Sequence, residues 1–114
     1  MKIKFLNNEK FRKKFFASII ISTYNRAKYL QTTLESRTKQ DYPPEKFELL
    51  IVDNGSTDNT REVAENFQKK HPGFQVRYVY LDEPCLSCAR NKGIEMSRGE
   101  IEAFVDDAMY HFLV

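Results

Sequence analysis

Four short apolar runs recur along the chain, and each opens into polar or acidic residues. Ser18-Ile19-Ile20-Ile21-Ser22-Thr23 leads into Tyr24-Asn25-Arg26, and Phe47-Glu48-Leu49-Leu50-Ile51-Val52 into Asp53-Asn54-Gly55-Ser56. Val76-Arg77-Tyr78-Val79-Tyr80-Leu81 ends on Asp82, and Ile101-Glu102-Ala103-Phe104-Val105 ends on Asp106-Asp107. Runs that are short, unbroken and rich in β-branched residues suit strands covered on both faces. They predict strands over 17–23, 47–53, 75–81 and 101–105. Ala27, Leu30 and Leu34 fall on one helical stripe and predict a helix over 27–38, with Pro43-Pro44 forbidding its continuation. Val63, Ala64 and Phe67 mark a second helix, capped by Asp58 or Asn59 and stopped at His71-Pro72-Gly73. Ala89, Gly93 and Met96 mark a third, with Ser87 as its cap and Gly99 as its stop.

The order is β-α-β-α-β-α-β, which predicts an α/β fold: a parallel sheet with helices on both faces and no fifth strand. In such sheets ligands bind beyond the carboxyl ends of the strands, where the strand order reverses. The polar residues gathered there therefore suggest a site. Neither common phosphate cradle is present, since the first strand-to-helix turn, Thr23 to Ala27, has no glycine and no Gly-x-x-x-x-Gly-Lys-Ser/Thr loop occurs. A bound diphosphate would need another partner. Asp106 and Asp107 supply one, because Mg²⁺ and Mn²⁺ are hard cations held by one or two carboxylates together with phosphate oxygens and water.

Length sets one domain, and 41% hydrophobic with 30% charged residues is ordinary for a globular chain of 114. The net charge of +2 hides an asymmetry. Residues 1–16 carry Lys2, Lys4, Lys10, Arg12, Lys13 and Lys14 against the single acid Glu9; without them the 18 basic and 16 acidic groups fall to 12 and 15, a net −3. The division expected is a basic, aromatic extension over 1–16 and a domain over 17–114. Nucleic acid is not an expected partner, because the basic groups do not line a strand or helix of the domain. The extension either packs on the domain or lies on an anionic membrane surface. No segment has the length of a membrane span or a signal-peptide core, so a cytoplasmic location, with peripheral membrane contact as the variant, is expected. Cys85-x-x-Cys88 lacks the second ligand pair of a zinc ribbon and does not follow the first strand as a thioredoxin-type motif would. Two reduced thiols are expected.

Seven stretches in register give a more specific reading. They are Ser18 to Arg26, Leu34-Glu35-Ser36, Gln40 to Pro43, Ile51 to Asp58, Cys88 to Gly93, and Arg98-Gly99-Glu100 with Phe104 to Asp107. In these the chain resembles the N-terminal, nucleotide-binding half of a family 2 glycosyltransferase with the Rossmann-like GT-A fold, from about residue 17 to 107. The resemblance implies a nucleotide-diphosphate sugar as donor and a divalent Mn²⁺ or Mg²⁺ as cofactor. It also implies inverting transfer to a glycan, lipid or protein acceptor that the sequence does not name. Thr23, Tyr24 and Asn25 would line the base and ribose pocket, Asp53 and Asn54 would face nucleobase and ribose, and Arg90 would lie over the nucleotide. Asp106 would serve donor and metal, and Asp107 the metal.

Two positions depart from the family pattern. Asn54 stands where a second acid is usual, and an amide donates as well as accepts. Ala108 follows Asp106-Asp107 where a third acid is usual, so either the metal-binding acid is replaced or Asp107 takes its part. The family's acceptor-side base belongs to a half not represented in these residues, so the 114 residues alone are expected not to transfer sugar. The rival reading is a non-catalytic nucleotide-binding or protein-interaction module that self-associates through an unfinished sheet edge.

Overall fold

The computed structural model describes residues 15–39, 42–82, 85–106 and 112–113. Residues 1–14, Asp107 and Ala108 lie outside them. Strand β1 (Ala17–Thr23) and strand β2 (Phe47–Asp53) form the centre of the sheet, and every residue of β2 is buried. Successive side chains on a strand point to opposite faces. Ile19, Ile21, Leu49 and Ile51 accordingly join one core cluster with Leu30 and Leu34 of α1 (Ala27–Arg37) and Ala64 and Phe67 of α2 (Thr60–Lys70). Ile20, Leu50 and Val52 join the other with Ala89 of α3 (Leu86–Met96). Burial on both sides is why the runs lack alternation.

With β3 (Gln75–Tyr80) and β4 (Ile101–Asp106), the four long strands pair in parallel in the order β3-β2-β1-β4. A short fifth strand, β5 (Phe112–Leu113), corrects the expectation of four. It pairs antiparallel with Phe104 and Val105 of β4, and two residues are too few to carry a periodicity. The predicted strands and helices agree with the observed ones to within a residue at most ends. The N-cap of α3 is Cys85 rather than Ser87, its sulfur accepting from the Cys88 N–H. Gly93 lets α3 approach the sheet: a Cβ there would stand 2.4 Å from Cγ2 of Ile20.

One polar knot lies in the core at the amino ends of the strands. The Glu48 carboxylate, 1% exposed, accepts from the Ser18 hydroxyl at 2.6 Å, from Arg77 Nε at 2.9 Å and from the Arg98 N–H at 2.9 Å. The Arg77 guanidinium also donates to the Met96 carbonyl. Burial alone would raise the Glu48 pKa, but the bonds from Arg77, Ser18 and Arg98 outweigh it and hold the carboxyl below its usual range. The knot ties β1, β2, β3 and the α3–β4 loop together at the end opposite the candidate site. Residues 15 and 16 are also joined to the domain. The Phe15 carbonyl accepts from the Tyr42 hydroxyl, and the Phe16 carbonyl accepts from the Glu100 N–H at 2.8 Å.

Candidate nucleotide-binding site

β1 is the strand at which the order reverses, with β2 on one side and β4 on the other. Crevices for ligands open beyond the carboxyl end of such a strand. The register sets what meets there: Thr23 pairs with Asp53, Ser22 with Asp106, and Asp53 with Tyr80. Thr23 and Asp53 are 2% and 1% exposed, so both are part of the sheet's rim and not of its solvated surface.

The Asp53 carboxylate is held from two directions. Oδ1 accepts from the Ser56 N–H at 2.9 Å, closing the turn that Gly55 makes possible at φ 93°. Oδ2 accepts from the Tyr78 hydroxyl at 2.5 Å. Burial first, then the bond and charge of Asp53, push the Tyr78 hydroxyl well above the ordinary tyrosine range, so it stays a donor. Asp53, Ser56, Asp58, Arg61, Tyr78 and Tyr80 line a cavity of about 260 Å³, and the Arg61 guanidinium stacks 5.3 Å from the Tyr78 ring centroid. A buried acid sharing one cavity with two tyrosines and a guanidinium can accept from a planar ligand's N–H or hydroxyl, and aromatic rings offer faces for such a ligand to pack on. Sequence reading did not single out Tyr78, Tyr80 or Arg61; two tyrosines at alternate positions on β3 were the available signal.

The loops are locked to one another. Asn25 adopts φ 47°, a conformation asparagine tolerates better than most residues. Its Oδ1 accepts from the N–H groups of Thr57 at 2.7 Å and Asp58 at 3.3 Å, and its own N–H donates to Ser56 Oγ at 2.8 Å. Asp58 bridges the same loops from the other side. Its Oδ2 accepts from the Ala27 N–H at 3.3 Å, at the start of α1, and its Oδ1 from the Thr60 N–H at 3.1 Å. Burial would raise the Asp58 carboxyl, but the bond from the Thr60 hydroxyl first, then the Ala27 and Thr60 N–H groups, outweigh it and lower it. Asn54 reaches across to α3: its Nδ2 donates to the Cys85 carbonyl and its Oδ1 accepts from the Cys85 N–H, both at 3.2 Å.

The structure therefore brings Thr23, Asp53 and Asn54 together and binds Asn25 into their loops. Tyr24 is half exposed beside them. Arg90 lies on α3 with its guanidinium 5.2 Å from the Phe104 ring centroid, two residues before Asp106 ends β4. Cys85 and Cys88 are joined as a disulfide instead of the two reduced thiols expected. The first turn of α3 sets their Cα atoms 5.2 Å apart, within bridging range.

A glycosyl transferase family 2 model matches residues 18–111. Glycosyltransferase AglE of Haloferax volcanii is 42% identical over 91 residues, 80% of this chain and 30% of that protein. Among solved structures, the mannosyltransferase PcManGT of Pyrobaculum calidifontis, in complex with GDP-Man and Mn²⁺, superposes with a TM-score of 0.78 at 30% identity. That match covers 82% of this chain and 27% of the other. Staphylococcus aureus TarS in complex with UDP-GlcNAc superposes with a TM-score of 0.73 at 32% identity, over 81% and 26% of the two chains. The chain spans between 25% and 30% of the length of the curated relatives first matched. With the family model covering most of its length and the GT-A neighbours sharing its sheet, the chain belongs to glycosyltransferase family 2.

Proposed function

We propose that the domain over 17–114 binds the nucleotide part of a nucleotide-diphosphate sugar, as the donor-binding half of a metal-dependent, inverting glycosyltransferase. The observation that carries this reading is the buried Asp53 carboxylate, held in register with Thr23 at the strand where the sheet order reverses. Asp53 accepts a hydrogen bond from the base or ribose, with Thr23 its register partner on β1 and Tyr24 the next residue along the chain. Asn25 holds the loop that shapes it, and Asn54 fixes the far wall through Cys85. Arg90 supplies positive charge from the α3 side. The two neighbours that hold GDP-Man or UDP-GlcNAc support the ligand class, and the Mn²⁺ of the first supports the ion.

Two consecutive carboxylates, at the end of β4 and just after it in the sequence, are the donor chemistry such an ion takes. Asp106 pairs in register with Ser22 at the end of β4 and Asp107 follows it in the sequence, and both residue types bring hard oxygen donors. When bound, Mn²⁺ or Mg²⁺ supplies Lewis-acid neutralisation of the departing diphosphate. The residues of this chain bind and orient the donor. The base that takes the acceptor proton belongs, in this reading, to the part of the family not spanned here. The 114 residues alone therefore bind donor without transferring sugar. Replacing Asp53 with Ala tests the reading: calorimetric affinity for UDP or GDP should fall by a factor matching about 1–3 kcal/mol, the cost of an unmade buried hydrogen bond. Unchanged affinity across both nucleotides in a folded variant would refute it.

A further inference from the structure

Neither Cys85 nor Cys88 touches the donor in the reading above, and Cys85 serves it only as the anchor of Asn54. Cys85 caps α3, the Cys88 N–H points at its sulfur from 3.0 Å, and both backbone groups of Cys85 are held by the side chain of Asn54. Cys85 is half-buried and Cys88 exposed. A sulfur at a helix N-terminus, next to an N–H donor, is stabilised as thiolate and so leaves readily from a disulfide. Cys88, facing solvent, is the sulfur an incoming thiolate reaches first.

We infer that Cys85–Cys88 is a thiol–disulfide exchange site whose redox state sets the affinity of the neighbouring nucleotide pocket. Its partner is a thiol reductant of the glutathione or dithiol class. A reductant thiolate attacks the Cys88 sulfur, the Cys85–Cys88 bond breaks, and the electron pair leaves on Cys85 as thiolate. A second reductant thiol attacks the mixed disulfide, releases Cys88, and departs as the oxidised reductant; two electrons and two protons end on the cysteine pair. In the bridged state Cys85 is tied covalently to the first turn of α3, and Asn54 is tied to Cys85. After reduction the Asn54 bonds to Cys85 remain, but Cys85 is held over the first turn of α3 only by the chain and the Cys88 N–H. The bridged form is therefore the better preorganised one and binds nucleotide more tightly.

The coupling rests on the donor-site reading above, and the experiment separates the two. The full chain is equilibrated in glutathione buffers of graded ratio, alkylated, and weighed by mass spectrometry. UDP and GDP affinities are then measured on the bridged and reduced forms and on Cys88→Ser, which keeps the Cys85 cap. The expected result is passage between no and two alkylated thiols within the glutathione range. Affinity should be about fivefold weaker in the reduced form, the low end of ordinary site-to-site coupling, with Cys88→Ser matching it and insensitive to the buffer. A pair that stays bridged, or stays reduced, across all buffers overturns the exchange site. Equal affinity in both forms, while Asp53→Ala loses binding, overturns the coupling and leaves the donor site standing. Absence of nucleotide binding in every form overturns the donor reading and the coupling with it, and alkylation alone then decides the exchange chemistry.

Discussion

Replacing Tyr78 with Phe removes one hydroxyl and tests how Asp53 is held. The ring stays, and with it the stack on Arg61, so the change isolates the bond to Asp53 Oδ2. A hydrogen bond to a charged group contributes about 1.5–3 kcal/mol. Tyr78 is only half-buried and Asp53 keeps the Ser56 N–H at 2.9 Å, so the lower part of that range applies. A loss of about 1–2 kcal/mol should lower Tm by roughly 4–10 °C in a domain of this size. Nucleotide affinity should move the other way. With Oδ2 released, Asp53 has a whole oxygen for the ligand, so UDP or GDP should bind as tightly as before or more tightly. Urea unfolding gives the first quantity and calorimetry the second. A stability change under about 0.5 kcal/mol would refute the role of the bond, being the usual size for a substitution that disturbs nothing. A tenfold loss of affinity at unchanged stability would instead put the Tyr78 hydroxyl on the ligand.

Arg77→Met should cost about 2 kcal/mol at pH 7, less than a fully buried pair, because 23% of the Arg77 side chain reaches water. The Glu48 carboxyl is lowered in the fold, so its contribution is fully present above the unfolded value of 4.5 and is lost as pH falls through the lower folded value. Denaturant titrations at stepped pH should therefore show a flatter acid limb in Arg77→Met; an identical limb would contradict the account. Gly93→Ala should destabilise by about 1–3 kcal/mol despite the better helix former, because its Cβ would meet Ile20 at 2.4 Å. A stabilised variant, read by thermal unfolding, would show that α3 has room to shift. Residues 1–16, if they meet membranes, should make the chain sediment with anionic vesicles at low salt and release it at high salt; binding equal on neutral vesicles would contradict this.

The strands and helices were legible because their signals are local. Unbroken runs such as Ile19-Ile20-Ile21 and Leu49-Leu50-Ile51 announce double-sided burial, and Pro43-Pro44 and His71-Pro72-Gly73 punctuate the helices. Thr23 and Asp53 could be set at strand ends for the same reason. The rest depended on pairing across the sheet. Tyr78 meets Asp53 only because β3 runs parallel to β2 in one register, and Glu48 reads as one polar residue in a strand until Ser18, Arg77 and Arg98 converge on it. Asn25 was legible as a polar residue after a strand, but its left-handed backbone and its bonds to Thr57 and Asp58 come from the neighbouring loop. The Cys85 cap was missed because serine is the commoner capping residue, and Ser87 stood nearby.

The central claim is that the carboxyl ends of β1, β2 and β4 form a nucleotide-diphosphate site served by a divalent cation. Thermal unfolding in the presence of UDP, GDP and ADP, each with and without Mn²⁺, tests it most directly. A ligand that binds only the folded chain adds about 2.7 kcal/mol at 100 times its dissociation constant, a shift of several degrees here. At least one diphosphate should raise Tm, more with Mn²⁺ than without, and Asp53→Ala should cut the rise by about a third or more. No shift with any of the three, or a shift that Asp53→Ala leaves intact, would contradict the claim.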